Sequence, residues 1–144
     1  MNVTGNAVGP RMRVLVLCTG NSARSQMAEG LIRHEHGDHV NVASAGTRPS
    51  VVRPEAILVM QELGIDISGH RSKSVGEFQG QTFDVVLTVC DDAREACPVF
   101  PGTGRRVHRA FDDPAAVEGP EPIRLAAFRR VRDDLRTFVR GWSL

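Results

Sequence analysis

No apolar run in this 144-residue chain exceeds a few residues, and no basic segment leads into an apolar stretch with a small-residue cleavage site. Membrane association is therefore not expected, and a cytoplasmic location is. An excess of charge is missing too: 18 Lys and Arg stand against 17 Asp and Glu, leaving no whole-molecule field to steer the chain to nucleic acid or an anionic membrane. Any preference for an anion must be local. Cysteine is scarce and odd in number, at three, which argues against a structural disulfide framework and for free, catalytic or redox thiols. Internal repeats and low-complexity segments are absent. The length suits one domain, expected over 12–144, behind a disordered lead-in at 1–11 that mixes Gly, Asn, Thr and Pro without periodicity.

What is present alternates between two periods. The run Arg13-Val14-Leu15-Val16-Leu17 reads as a strand that breaks at Thr19-Gly20-Asn21, after which Met27, Ala28, Leu31 and Ile32 share one helical face. A second strand is expected over Val40–Ala45, and a second helix from Pro54, through Ile57, Leu58 and Leu63, to a stop at Gly64. Phe83–Cys90 reads as a buried parallel strand and Arg106–Ala110 as a short fourth, with Gly102–Arg105 and Val117–Pro122 as loops. Leu125, Phe128, Val131, Leu135 and Phe138 form the apolar stripe of a long closing helix. This alternation predicts an α/β three-layer sandwich around a central four-stranded parallel sheet, whose ligands gather beyond the carboxyl ends of the strands. Arg129, Arg132, Arg136 and Arg140 read as a solvated helix face rather than a nucleic-acid patch. His34, His36 and His39 suit the end of the first helix, where imidazolium favours the dipole and the late carbonyls, and no metal site or other cofactor is expected.

The chemistry concentrates in Cys18-Thr19-Gly20-Asn21-Ser22-Ala23-Arg24-Ser25, a cysteine and an arginine five residues apart between a strand and a helix. Successive N–H groups of such a loop can surround a tetrahedral anion while the following helix adds its positive end. Arg24 can close the cradle with paired contacts to two oxygens. The same electropositive cup favours thiolate over thiol at Cys18 and makes it a nucleophile beneath the bound centre. Gly20 is expected to permit close backbone approach, Asn21 to hold the loop shape, and Ser25 to donate to the thiolate. A nucleotide-binding phosphate loop is excluded, since no Gly-rich run ends in Lys and Ser or Thr.

The run from Cys18 to Gly30, together with Ser44-Ala45-Gly46, Gly64-Ile65-Asp66-Ile67-Ser68 and Phe111-Asp112-Asp113-Pro114-Ala115, resembles the thioredoxin-coupled arsenate reductases. Their fold is shared with the low-molecular-weight protein tyrosine phosphatases. The resemblance runs from about Arg13 to the last helix. It implies that Cys18 attacks arsenate, that Arg24 and the loop stabilise the oxyanion, and that Asp113, the residue before Pro114, rather than Asp112 protonates the departing oxygen. It also implies that Cys90 and Cys97, seven residues apart, pass the oxidising equivalents from Cys18 to thioredoxin through successive disulfides. Phosphate and sulfate would compete as anions, and a monomer is expected.

Two other readings of the same loop stay open, a phosphomonoester hydrolase and a non-enzymatic oxyanion sensor. The phosphatases surround their mouth with aromatic rings; here Tyr is absent and Ala115-Ala116 follows Pro114. Some relatives hold potassium behind the loop on Asn, Glu, Ser and Asp. Asn21, Glu29 and Ser44 match those positions, whereas Arg71 and Lys73 stand where the others have Thr and Asp. This departure from the relatives predicts that Lys73 supplies a built-in cation where potassium would sit, paired with Glu29 and bracing Asn21.

Overall fold

The structure, a computed structural model, describes residues 11–91, 99–101 and 103–144. Strand β1, Met12–Cys18, lies at the centre, and its alternating side chains explain why it is apolar from Val14 to Cys18. Val14, Val16 and Cys18 enter one apolar cluster while Leu15 and Leu17 enter another on the opposite face. Both faces of a central parallel strand are covered, so strict apolar–polar alternation is lost. Strands β2 (Val40–Gly46), β3 (Phe83–Thr88) and β4 (Thr103–His108) join it in a parallel four-stranded sheet of order β2-β1-β3-β4.

Helices α1 (Arg24–His36), α2 (Pro54–Gln61) and α3 (Glu121–Arg140) all contribute to the first cluster. The other face is covered, among the described residues, by the 3-10 turn Val75–Phe78 and by Phe100 against Leu15, Leu17 and Val86. Helix α3 buries Phe128, Val131, Leu135 and Val139, spaced to form one stripe. Each such side chain contributes roughly 1.5–3 kcal/mol when fully withdrawn from water. Helix α2 starts on Pro54, which needs no N–H there, and its exit turns through Gly64 at φ 77. Helix α1 is buried from Arg24 to Ile32; a side chain at Gly30 would sit 2.8 Å from Ile67 Cγ2 and 3.0 Å from Met60 Cε.

Several boundaries differ from the expected ones for identifiable reasons. Ladder pairing of β3 ends at Thr88, opposite His108, and Cys90 follows it in irregular backbone while staying buried. Gly104 and Arg105, expected in a loop, belong to β4: Arg105 pairs with Val85, and a Cβ on Gly104 would meet Asp84 O at 2.9 Å. The turn-forming glycine is thus used for close strand approach. The arginines of α3 are not simply solvated. Arg132 is buried, with Nη1 donating to Val59 O and to Glu62 Oε1, because its guanidinium joins α3 to the end of α2. His36 bonds Val139 O of α3 rather than a carbonyl of its own helix. The lead-in at residues 1–10 lies outside the described residues.

The sheet order fixes the place of the site. The chain runs outward from β1 to β2, then crosses back over β1 to β3, so the direction of winding reverses between β1 and β3. Such a switch point leaves a crevice beyond the strands' carboxyl ends, where Cys18 and Cys90 both lie.

Candidate functional site

The loop after β1 is held by its carbonyls. Thr19 O accepts from Arg48 N at 2.9 Å, Ser22 O from Arg53 N at 2.9 Å and Ala23 O from Met27 N at 2.9 Å. Gly20 O accepts from Ser72 Oγ at 3.0 Å and Asn21 O from Gln26 Nε2 at 3.0 Å. Because the N–H across a planar trans peptide points opposite to the C=O, anchoring these carbonyls outside turns the following N–H groups inward. The result is a cup of about 250 Å³ lined by Cys18, Thr19, Gly20, Ser22, Ala23, Arg24, Arg48 and Asp113. Asn21 N, one of the inward donors, lies 3.3 Å from Cys18 Sγ, and Ser25 Oγ lies 2.9 Å from the same sulfur. Helix α1 begins at Arg24 and adds its positive end to the same cup.

Gly20 is not the residue that permits the close backbone approach. Gly20 has no positive φ, and a Cβ there would come no closer than 3.3 Å to another group, the Ser22 hydroxyl. The left-handed residue is Asn21, at φ 48, and the close approach is at Gly46, where a Cβ would lie 2.4 Å from Thr19 O and 2.9 Å from Asn21 N. Asparagine tolerates this conformation when its side chain is fixed. Here Asn21 Nδ2 donates to Ser25 Oγ at 2.8 Å and to Ser44 Oγ at 2.9 Å, while Oδ1 accepts from Lys73 N at 2.8 Å and Gln26 Nε2 at 2.9 Å.

Behind the cup the expected supporting residues form one polar cluster with two that the sequence reading missed, Gln26 and His70. Ser44 Oγ donates to Glu29 Oε1 at 2.6 Å, and Arg33 Nη2 donates to Glu29 Oε2 at 2.6 Å. Lys73 Nζ lies farther from Glu29, at 3.9 Å, and donates to Arg71 O at 3.2 Å; the contact of Lys73 with Asn21 is made by its main-chain N–H. Burial pushes the Lys73 ammonium below its usual pKa, against the opposing attraction of Glu29. Gln26 is fully buried, and its Nε2 also donates to Arg71 O at 3.0 Å, which leaves Oε1 to accept from His70 Nδ1 at 3.0 Å. That assignment makes His70 Nε2 the acceptor facing Arg33 Nη1 at 3.0 Å. Burial pushes the His70 pKa down, consistent with a neutral ring. Gln26 sits two residues after Arg24, inside the run from Cys18 to Gly30 that carries the resemblance, but no role was assigned to it there.

The outer groups divide as follows. Arg24 is 3% exposed, with Nη1 donating to Phe111 O at 3.2 Å and Nη2 at 3.7 Å from Asp113 Oδ2. Asp113 opens the 3-10 turn Pro114–Ala116 by accepting from Ala115 N at 3.0 Å, which leaves its other oxygen facing the cup. Asp112 is exposed and lines the neighbouring cavity rather than the cup. Cys90 is fully buried and does not line the cup; its Sγ lies 4.0 Å from Leu17 O, on the residue preceding Cys18. Cys97 lies outside the described residues. Among the described residues no cluster of three or more His, Cys, Asp and Glu side chains has metal-binding geometry.

Comparison with known proteins agrees with this geometry. The family model described as low molecular weight phosphotyrosine protein phosphatase matches residues 13–143. An arsenate reductase of Halalkalibacterium halodurans is 46% identical over 90% of this chain and 94% of its own. A solved structure of an arsenate reductase in the phosphate binding state superposes with a TM-score of 0.72, at 32% identity, over 89% of this chain and 93% of that one. A low molecular weight protein tyrosine phosphatase from T. tengcongensis follows at a TM-score of 0.68 and 26% identity, over 89% and 95% of the two chains. The chain belongs to the low molecular weight phosphotyrosine protein phosphatase family, on the arsenate reductase side of it.

Proposed function

We propose that this chain is a thioredoxin-coupled arsenate reductase acting through Cys18, Cys90 and Cys97. Arsenate enters the cup with its oxygens toward the inward N–H groups and the Arg24 guanidinium. The Cys18 thiolate, stabilised by Ser25 Oγ and Asn21 N, attacks arsenic. Asp113 donates a proton to the departing oxygen, which leaves as water, and a Cys18 S–As bond remains. Cys90 then attacks Cys18 Sγ as the S–As pair withdraws onto arsenic, giving arsenite and a Cys18–Cys90 disulfide. Cys97 attacks Cys90 Sγ, restores the Cys18 thiolate and leaves a Cys90–Cys97 disulfide for the thioredoxin dithiol to reduce. Two thiols thus supply the two electrons that arsenic gains.

The observation that carries this reading is the second thiol. Cys90 is buried 4.0 Å from the carbonyl that precedes the nucleophile, where an ester hydrolase has no use for it. The cavity beside Asp113 is lined by Asp91, Asp112, Pro114, Ala116, Val117 and residues of α3, and offers no aromatic ring against which a phosphotyrosine could stack. Lys73 takes the part of a built-in cation behind Asn21. No described helix is long and apolar enough to cross a membrane, and the proposed setting is a reducing cytoplasm in which the chain works as a monomer.

A single exposure of purified protein to arsenate, followed by peptide mass mapping, tests the order of events. Wild type should accumulate Cys90–Cys97, Cys97→Ser should release one arsenite and trap Cys18–Cys90, and Cys18→Ser should do neither. Multiple turnover by Cys97→Ser at the wild-type rate would sink the relay.

A further inference from the structure

The cup contains a second guanidinium that the proposed chemistry does not use. Arg48 follows β2 by two residues and lines the same cavity as Cys18, Arg24 and Asp113. Its main-chain N–H donates to Thr19 O at 2.9 Å, so its backbone is bonded to the loop that carries the anion's donors. Gly46 packs against that loop without room for a Cβ, which fixes the start of the same segment. Pro49 comes next, and a residue before proline is confined to extended backbone, so the direction in which Arg48 leaves the chain is restricted.

The charges around it are otherwise committed. Arg24 is shared with Asp113 and Phe111 O, Arg53 with Glu55, Arg71 with Glu77, and Arg33 with Glu29. Arg48 is exposed and, among the described residues, has no ion pair or side-chain hydrogen bond. The electrostatic problem at this site is large: a tetrahedral dianion must settle against a thiolate, and the Arg24 guanidinium also serves Phe111 O and lies 3.7 Å from Asp113. A free guanidinium on the rim offsets that repulsion without being buried, so it avoids the desolvation cost of a second internal charge.

We propose that Arg48 is a specificity-determining residue that selects dianionic tetrahedral oxyanions at the mouth of the Cys18 cup. The proposal rests on the reading of the cup as an oxyanion site, but not on the redox steps that follow. Its contribution is to capture and hold the anion rather than to lower the chemical barrier, because the group lies at the entrance and is screened by solvent.

Two measurements separate this proposal from the proposed function. In the first, alkylation of Cys18 by uncharged iodoacetamide is followed as sulfate or inorganic phosphate is added, and the anion concentration giving half protection is compared between variants. Arg48→Gln should raise it about twofold to fivefold for sulfate, the size expected of one exposed charge–anion contact, and Arg48→Lys should restore most of the loss. With phosphate, wild-type protection should strengthen as pH rises through the second ionisation, and Arg48→Gln should flatten that rise. In the second, steady-state arsenate reduction should show the loss in KM with kcat within about twofold, since only uniform binding is removed. Unchanged half-protection in Arg48→Gln, or an equal loss in Arg48→Lys, would overturn the proposal. Loss of protection in a protein that reduces no arsenate would leave Arg48 in place and remove the reductase reading instead.

Discussion

Replacing Gly46 by alanine tests whether the loop is held from outside. The new methyl would lie 2.4 Å from Thr19 O and 2.9 Å from Asn21 N, both backbone atoms with no free rotamer to move away. To reach ordinary van der Waals distance the strand end and the loop must separate by about 1 Å, which strains the Arg48–Thr19 hydrogen bond and the inward donors beside it. Overpacking of this kind costs about 1–3 kcal/mol. For a chain of this size that corresponds to a fall of roughly 3–10 °C in Tm. The distinguishing outcome is functional: kcat/KM for arsenate should fall by at least about tenfold, since even small displacements of positioned groups are expensive. Gly64→Ala is the control, because Gly64 has φ 77 and nothing within 4 Å, so it loses stability through backbone strain alone. Thermal unfolding and steady-state turnover on both variants decide the matter. If Gly46→Ala kept full activity, or lost no more than Gly64→Ala at equal destabilisation, the loop would not depend on its external anchoring.

Other consequences can be measured with the same assays. Asp113→Asn should slow formation of the Cys18 adduct about a hundredfold at moderate pH, while Asp112→Asn, which lines the neighbouring cavity, should change it by no more than about twofold; rapid-quench adduct measurements that gave equal losses would reassign the acid. Potassium should neither activate nor stabilise the wild type relative to sodium at matched ionic strength, and Lys73→Asp should acquire potassium dependence; specific potassium activation of wild type would reject the built-in cation. Glu55 is held at about 2 by its hydrogen bond to Arg53, with Arg124 adding to the effect, against an ordinary value of 4.5. Its folded value is depressed, so its stabilisation is complete above the unfolded pKa and is lost as pH falls from about 4.5 towards 2. Glu55→Gln should therefore be less stable than wild type at neutral pH and converge with it in acid, as read by urea unfolding across that range; parallel curves would show that the Arg53–Glu55–Arg124 contact contributes nothing.

That Cys18 and Arg24 share one cup was legible in the sequence because the loop between them is one contiguous stretch. A strand that stops, a loop of fixed length and a helix that starts bring Cys18, five intervening residues and Arg24 around one small cavity. The parallel α/β order was legible for the same reason, since apolar period reports local structure. What keeps the loop in shape is not local. Its carbonyls are held by Arg48, Arg53 and Ser72 as well as by Gln26 and Met27, and its left-handed Asn21 is fixed by Ser44 and Lys73, 23 and 52 residues away. Composition has no access to partners at that separation, so Gln26 and His70 passed unnoticed and the need for a missing Cβ was placed at Gly20 rather than at Gly46. The start of β4 failed to show for a related reason: a glycine in isolation signals a turn, and only pairing beside Asp84 turns Gly104 into a strand residue. Sequence determined which residues line the cup after β1, because most of them are neighbours along the chain. The tertiary structure decided how rigidly they are held and which second cation waits at the entrance, because both depend on β2 and the segments after it folding back against the end of β1.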